Sequence, residues 1–194
     1  MLSSITPLGE RGRGTSWART VAAYVAGSTT SGAMLGAALG WLGRVLPGSP
    51  WWAAVLGAAS ILGLAAERGV GGMRLPTIHR QVDVAWLGIY RGWVYGGGYG
   101  LQLGLGVGTI VASSAIYVMI ASQVLSGSAL YGMLIGTAFG LMRASTIFLG
   151  RRATNQQGLM DLHSALERSR TRVVTVSQGV LAVAGIAGIA GSIR

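Results

Sequence analysis

The stretch ALYGMLIGTAFGLMRASTIFLG, residues 129–150, decides how this chain is read. Arg143 is its one charge, and Gly132, Gly136 and Gly140 recur every fourth residue. A bilayer span needs about 20 predominantly apolar residues, and this stretch reaches that length. Residues four apart share a helix face, so the three glycines form a smooth rail that another backbone can approach closely. In a water-exposed helix each glycine costs about 1 kcal/mol relative to alanine. In membranes small residues are the usual packing faces.

Composition extends this reading to the whole chain. Of its 194 residues, 51% are apolar and 10% are charged. Ordinary soluble domains carry roughly 25% charged residues. Glycine contributes 33 residues, and all 15 basic residues are arginine. An Ala/Gly-rich chain without lysine points to a GC-rich bacterial genome. The net charge of +10 does not call for nucleic acid. The arginines lie between apolar segments, where the positive-inside rule puts them. There is no cysteine, which excludes disulfides, thiolate metal sites and thiol redox chemistry. Met1 to Arg19 contains Glu10 and lacks an apolar core with a cleavage site, so it does not read as a cleaved signal peptide.

Five apolar segments stand out: Thr20–Gly43, Trp51–Ala66, Trp93–Ser122, Ala129–Gly150 and Val173–Ile193. They predict an all-α, polytopic transmembrane helix bundle of five spans, forming one domain over 1–194. Ile78, Val82, Ala85, Trp86, Ile89 and Trp93 recur at helical spacing and suit an interfacial helix. If that segment spans instead, the count becomes six. Arg11, Arg13 and Arg19 precede the first segment. Arg68, Arg74, Arg80 and Arg91 follow the second, and Arg151, Arg152, Arg168, Arg170 and Arg172 follow the fourth. The alternate connections hold only Arg44. This asymmetry predicts a bacterial cytoplasmic membrane location, N-terminus inside, with the arginines against anionic inner-leaflet lipids.

The chain also repeats itself. LPGSPWWAAVLGAA, residues 46–59, aligns with LSGSALYGMLIGTA, residues 125–138, and the same offset lays Gly27 on Gly106 and Thr30 on Thr109. Residues 17–67 and 93–150 therefore read as internal repeats, a transporter habit. Residues 68–92 and 151–172 read as cytoplasmic or interfacial segments. Further glycine rails run through Gly32, Gly36 and Gly40 and through Gly96, Gly100, Gly104 and Gly108. They predict tight helix packing, with a sliding surface or a narrow path as the functional alternative.

The polar residues inside spans are the candidate site. Thr30, Gln102, Thr109, Ser113 and Arg143 are the substrate-path candidates. Gln102 and Thr109 lie two turns apart, and Thr109 and Ser113 one turn apart. The alternative for the hydroxyls is bonding back to helix carbonyls. For Arg143 it is snorkelling to the inner surface or pairing with Glu67. No nucleotide-binding or catalytic motif is present, and His79 and His163 lack partners at metal-ligand spacing. No metal, cofactor or enzymatic activity is expected.

Ala23–Leu35 (AYVAGSTTSGAML) and Tyr95–Val111 (YGGGYGLQLGLGVGTIV) resemble the duplicated first helices of the cytochrome c biogenesis and thiol–disulfide interchange transmembrane family. The resemblance implies a six-helix inverted-repeat scaffold whose paired cysteines pass electrons to extracytoplasmic thioredoxin-like partners. The family's Pro-Cys positions fall near Ser31-Gly32 and Gly108-Thr109, where this chain has neither proline nor cysteine. The scaffold is implied and the electron relay is not. Two functions follow as expectations. One is a small transporter or transporter-like scaffold without thiol redox activity. The other is a non-catalytic subunit or assembly factor of a membrane complex, working as a homo-oligomer or with a partner.

Overall fold

The computed structural model describes residues 5–46, 51–72, 89–106, 114–152 and 154–192. Every regular element among them is helical. The α-helices are α1 (Pro7–Gly12), α2 (Trp17–Leu42), α3 (Trp52–Glu67), α4 (Gly92–Gly104), α5 (Ala115–Leu125), α6 (Ala129–Ser145) and α7 (Gln156–Ser192). Short 3-10 turns cover Gly43–Val45, Val70–Gly72 and Thr146–Arg152. The all-α class is therefore observed directly.

Span by span, the match is coarser. Ala129–Arg151 is the one described helix both long and apolar enough to cross a bilayer, and it contains the stretch quoted above. Trp52–Glu67 and Ala115–Leu125 are apolar but shorter, at 16 and 11 residues. α2 has 26 residues, but its glycines and the run Ser28 to Ser31 dilute its hydrophobicity. The expected third span, Trp93–Ser122, is not one helix. α4 ends at Gly104, and Gly106 takes φ +71°, a left-handed conformation that glycine adopts without steric cost. Its N–H donates to the Leu103 carbonyl at 3.1 Å, which tightens and ends the helix. α7 runs unbroken from Gln156 to Ser192, through the expected interfacial segment and into the apolar stretch from Val173. The interfacial stretch from Ile78 lies outside the described residues up to 88.

α2 is the centre of the packing. Its Gly32, Gly36 and Gly40 face Gly136, Gly132 and Ser128 of α6, so the two helices run antiparallel. On the other side Thr20, Tyr24 and Ser28 of α2 face Gly96, Gly100 and Gly104 of α4, so those two run parallel. A Cβ built at any of these glycines would run into the opposing main chain or, at Gly104, also the Ser31 hydroxyl. Glycine's missing side chain is what permits this approach. α7 lies on α3, where a Cβ at Gly185 would sit 2.7 Å from Ile61 Cγ1.

The described interior mixes small polar and apolar side chains, and many large apolar side chains remain on the outside. Among the described residues Thr20, Ser28, Ser60, Ser114 and Gln123 are buried, together with Tyr95, Tyr99, Val21, Tyr24 and Ala144. Met34, Trp41, Leu130, Leu134, Met142 and Val183 are exposed.

Candidate functional site

The most highly connected polar cluster is at the N-terminal end of the α2–α4 pair. Thr6 caps α1, its hydroxyl accepting from the Gly9 N–H at 3.1 Å, and Pro7 opens the helix where no N–H is needed. This turn carries Glu10 inward, where the residue is 0% exposed. Its Oε1 accepts from Arg13 Nη2 at 2.6 Å and from the Tyr95 hydroxyl in a short hydrogen bond. Its Oε2 accepts from Thr15 Oγ1 at 2.6 Å and Thr20 Oγ1 at 2.7 Å. The Arg13 guanidinium also lies over the Tyr95 ring, 5.6 Å from its centroid. Gly92, at the start of α4, makes room: a Cβ there would meet the Thr20 hydroxyl and come within 3.2 Å of Glu10 Oε2.

Burial by itself raises the Glu10 pKa, but the hydrogen bonds from Thr15, Tyr95, Arg13 and Thr20 outweigh it and leave the carboxyl below the ordinary glutamate value. Arg13 is raised: burial works against its charge, and Glu10 and Tyr95 more than offset that. The carboxylate is thus ionised and saturated by four donors. It ties α1, α2 and α4 together and is suited to holding geometry rather than to passing a proton.

A second polar centre is Gln123 on α5, 1% exposed. Its amide nitrogen would lie 3.2 Å from a Cβ at Gly36 and 3.3 Å from one at Gly136. The side chain therefore fills the seam between the α2 and α6 rails. Among the described residues its Oε1 has no hydrogen-bond partner.

Of the substrate-path residues expected from sequence, the structure describes Thr30, Gln102 and Arg143. Thr30 is on the exposed side of α2, whereas Ser28 and Ser31 are buried. Ser28 Oγ donates to the Gly140 carbonyl at 2.9 Å, across to α6, while Thr29 bonds back to the Val25 carbonyl at 2.7 Å. Gln102 is half-buried on α4. Thr109, Ser113 and Gly108 lie outside the described residues. Arg143 reaches back from α6 toward the end of α4. Its Nη1 donates to the Gly106 carbonyl at 3.4 Å, and its guanidinium lies 5.5 Å from the Phe139 ring centroid. Glu67 accepts from the Ser114 N–H at 2.6 Å and the Ser114 hydroxyl at 2.8 Å. No cluster of metal-ligating side chains occurs among the described residues.

Sequence reading passed over Glu10 and Gln123. Glu10 and its partner Tyr95 are 85 residues apart, and no spacing rule links them. A lone acid among the arginines Arg11, Arg13 and Arg19 was the available signal.

Fold and site together define an all-helical chain with a membrane-length apolar helix and a core built on glycine-to-backbone contact. Proteins similar to it are methylamine utilization proteins. The chain is 32% identical to MauF of Paracoccus denitrificans over 148 residues, which are 73% of this chain and 53% of that protein. It is 28% identical to MauF of Paracoccus versutus over 193 residues, 96% of this chain and 69% of that protein. The chain thus spans about half the length of the first relative. No family model matches it, and no solved structure does.

Proposed function

We propose that this chain is a multi-pass protein of the bacterial inner membrane that serves as a non-catalytic accessory factor in methylamine utilization, N-terminus inside. The multi-pass reading is supported by the exposed Met, Leu, Val and Trp side chains on the outside of the glycine-packed helices, which acyl chains or an apolar partner subunit would cover. Segments too short or too polar to count alone, such as α3 and α2, gain membrane access by packing on α7 and on α6. The arginine asymmetry supports the orientation. The association with methylamine rests on the MauF relatives.

One observation carries the choice of accessory factor over carrier. Along the α2–α6 and α2–α4 seams the backbones are so close that a single added Cβ would overlap the opposing chain. No solute can pass there without separating helices. Thr30, which would line such a path, faces outward.

The test is deletion and complementation in a methylamine-utilizing host. Loss of growth on methylamine, with normal growth on succinate, is the expected result. Complementation by Thr30→Val should be complete. Saturable, counterflow-competent uptake of labelled methylammonium by proteoliposomes of the purified chain would overturn the accessory reading in favour of a transporter. Growth on methylamine unaffected by the deletion would remove the metabolic assignment. Topology is tested separately: the chain has no cysteine, so single introduced cysteines report sidedness directly, and outside labelling at Arg151→Cys would refute the orientation.

A further inference from the structure

The interruption between α4 and α5 has an unusual arrangement at its two ends. α4 terminates in the left-handed Gly106, and the Arg143 guanidinium from α6 lies against the Gly106 carbonyl. α5 starts after Ser114, and the Glu67 carboxylate from α3 accepts both the N–H and the hydroxyl of that residue. A helix C-terminus carries partial negative charge and an N-terminus partial positive charge. Each end therefore meets a side chain of the complementary sign, delivered by a different helix.

The helices that deliver these charges are shaped for it. One turn before Glu67, Gly63 gives up its side chain where Ser114 approaches: a Cβ there would come 2.7 Å from Ser114 Cβ and Oγ. One turn before Arg143, Phe139 places its ring against Gly106, with Cε1 3.1 Å from the position of a Cβ. Residues four apart share a helix face, so Gly63 with Glu67, and Phe139 with Arg143, act as two docking faces.

We infer that Glu67 and Arg143 are a pair of electrostatic latches that hold a discontinuous helix open, standing where a discontinuous transporter helix would present its ends to a bound anion and cation. The inference rests on the proposed membrane reading only for the depth of the break; the capping geometry is independent of it. The chain's own side chains supply the charges, so the interruption is stable without a solute. This makes the two helix ends at Gly106 and Ser114 a joint held by the chain itself, and it assigns Glu67 and Arg143 as positioning residues.

Amide hydrogen exchange of the full-length protein in nanodiscs tests this. Replacing Glu67 by Ala should speed exchange of the Ser114–Val118 amides by about ten-fold or more, the scale of a lost charge-assisted hydrogen bond. Glu67→Gln keeps an acceptor oxygen and should lie between. Arg143→Met should speed exchange of Leu105 and Gly106, with Arg143→Lys again between. Neither change should alter protection at the centre of α2. Unchanged exchange at both ends in the Ala and Met variants overturns the latches. So does a uniform rise across α2, α4 and α6, which would mark general destabilisation. Should Glu67→Ala not yield folded protein, Glu67→Gln decides: protection at Ser114–Val118 equal to wild type overturns the role of charge. Addition of methylammonium or acetate to wild type should leave exchange at both ends unchanged; new protection there would mean that the ends take a solute and overturn the joint. None of these readouts depends on growth on methylamine, so they fail or succeed apart from the metabolic assignment.

Discussion

Replacing Gly36 by Ala isolates what the α2–α6 seam contributes. The new methyl would point at the Gly132 carbonyl, and the Gly132 carbonyl carbon would be only 2.8 Å away. Ordinary contact between carbon atoms begins near 3.5 Å, so the helices must part by at least about 0.7 Å. A gap of about 0.5–1 Å already forfeits a quarter to a half of each van der Waals contact along the seam. The obstruction is main chain and cannot rotate away, which puts the cost near the top of the usual overpacking range of about 1–3 kcal/mol. Alanine's better helix propensity returns up to about 1 kcal/mol. The net expectation is a loss of about 2 kcal/mol. Gly179→Ala is the internal control: it lies in α7 with nothing within 4 Å of its Cβ position. It should show the propensity gain alone, so the two variants should differ by about 3 kcal/mol. Reversible unfolding in mixed micelles, followed by tryptophan fluorescence, measures both. If Gly36→Ala is as stable as wild type while Gly179→Ala is stabilised, the backbone-contact account of the core is wrong.

Other expectations follow from the buried polar groups. Glu10→Ala leaves four donors without their acceptor and should lower stability by about 1–3 kcal/mol or more; equilibrium unfolding at pH 7 checks this. Because the folded carboxyl titrates below the ordinary value of 4.5, its contribution is fully present above that value and is lost as pH falls through the lower folded pKa. Wild type should therefore lose stability below pH 4.5 in excess of Glu10→Gln, and parallel pH profiles for the two would refute the assignment. Gln123→Met removes a buried acceptor that has no partner and keeps the bulk in the seam, so the melting temperature should stay level or rise. A sharp fall would mean that the amide is bonded in the folded protein.

The class of the fold was legible in the chain itself. Long apolar runs and four-residue glycine spacing say helix, because periodicity is a local property. The 129–150 stretch carries that information complete. The candidate site was not legible in the same way. Thr30 and Ser28 are two residues apart on one helix, and nothing in the run Ser-Thr-Thr-Ser says which of them turns inward. That is set by where α4 and α6 lie on α2. The same applies to the break after Gly104. Among the glycines of Gly92–Gly106 it is Gly106 that takes the left-handed conformation, and a local scan cannot tell it from its neighbours.

Composition and spacing alone determined that the chain is helical and that its glycines form rails. The tertiary structure decided which rail meets which backbone: Gly36 against Gly132, Gly100 against Tyr24. It also decided that the Glu10 carboxylate closes on Tyr95, and that Arg143 and Glu67 go to the two ends of an interrupted helix. The physical reason is range. Helix propensity and apolar periodicity act over a few residues, whereas a buried charge takes its partner from whichever helix end the packing brings within hydrogen-bond reach.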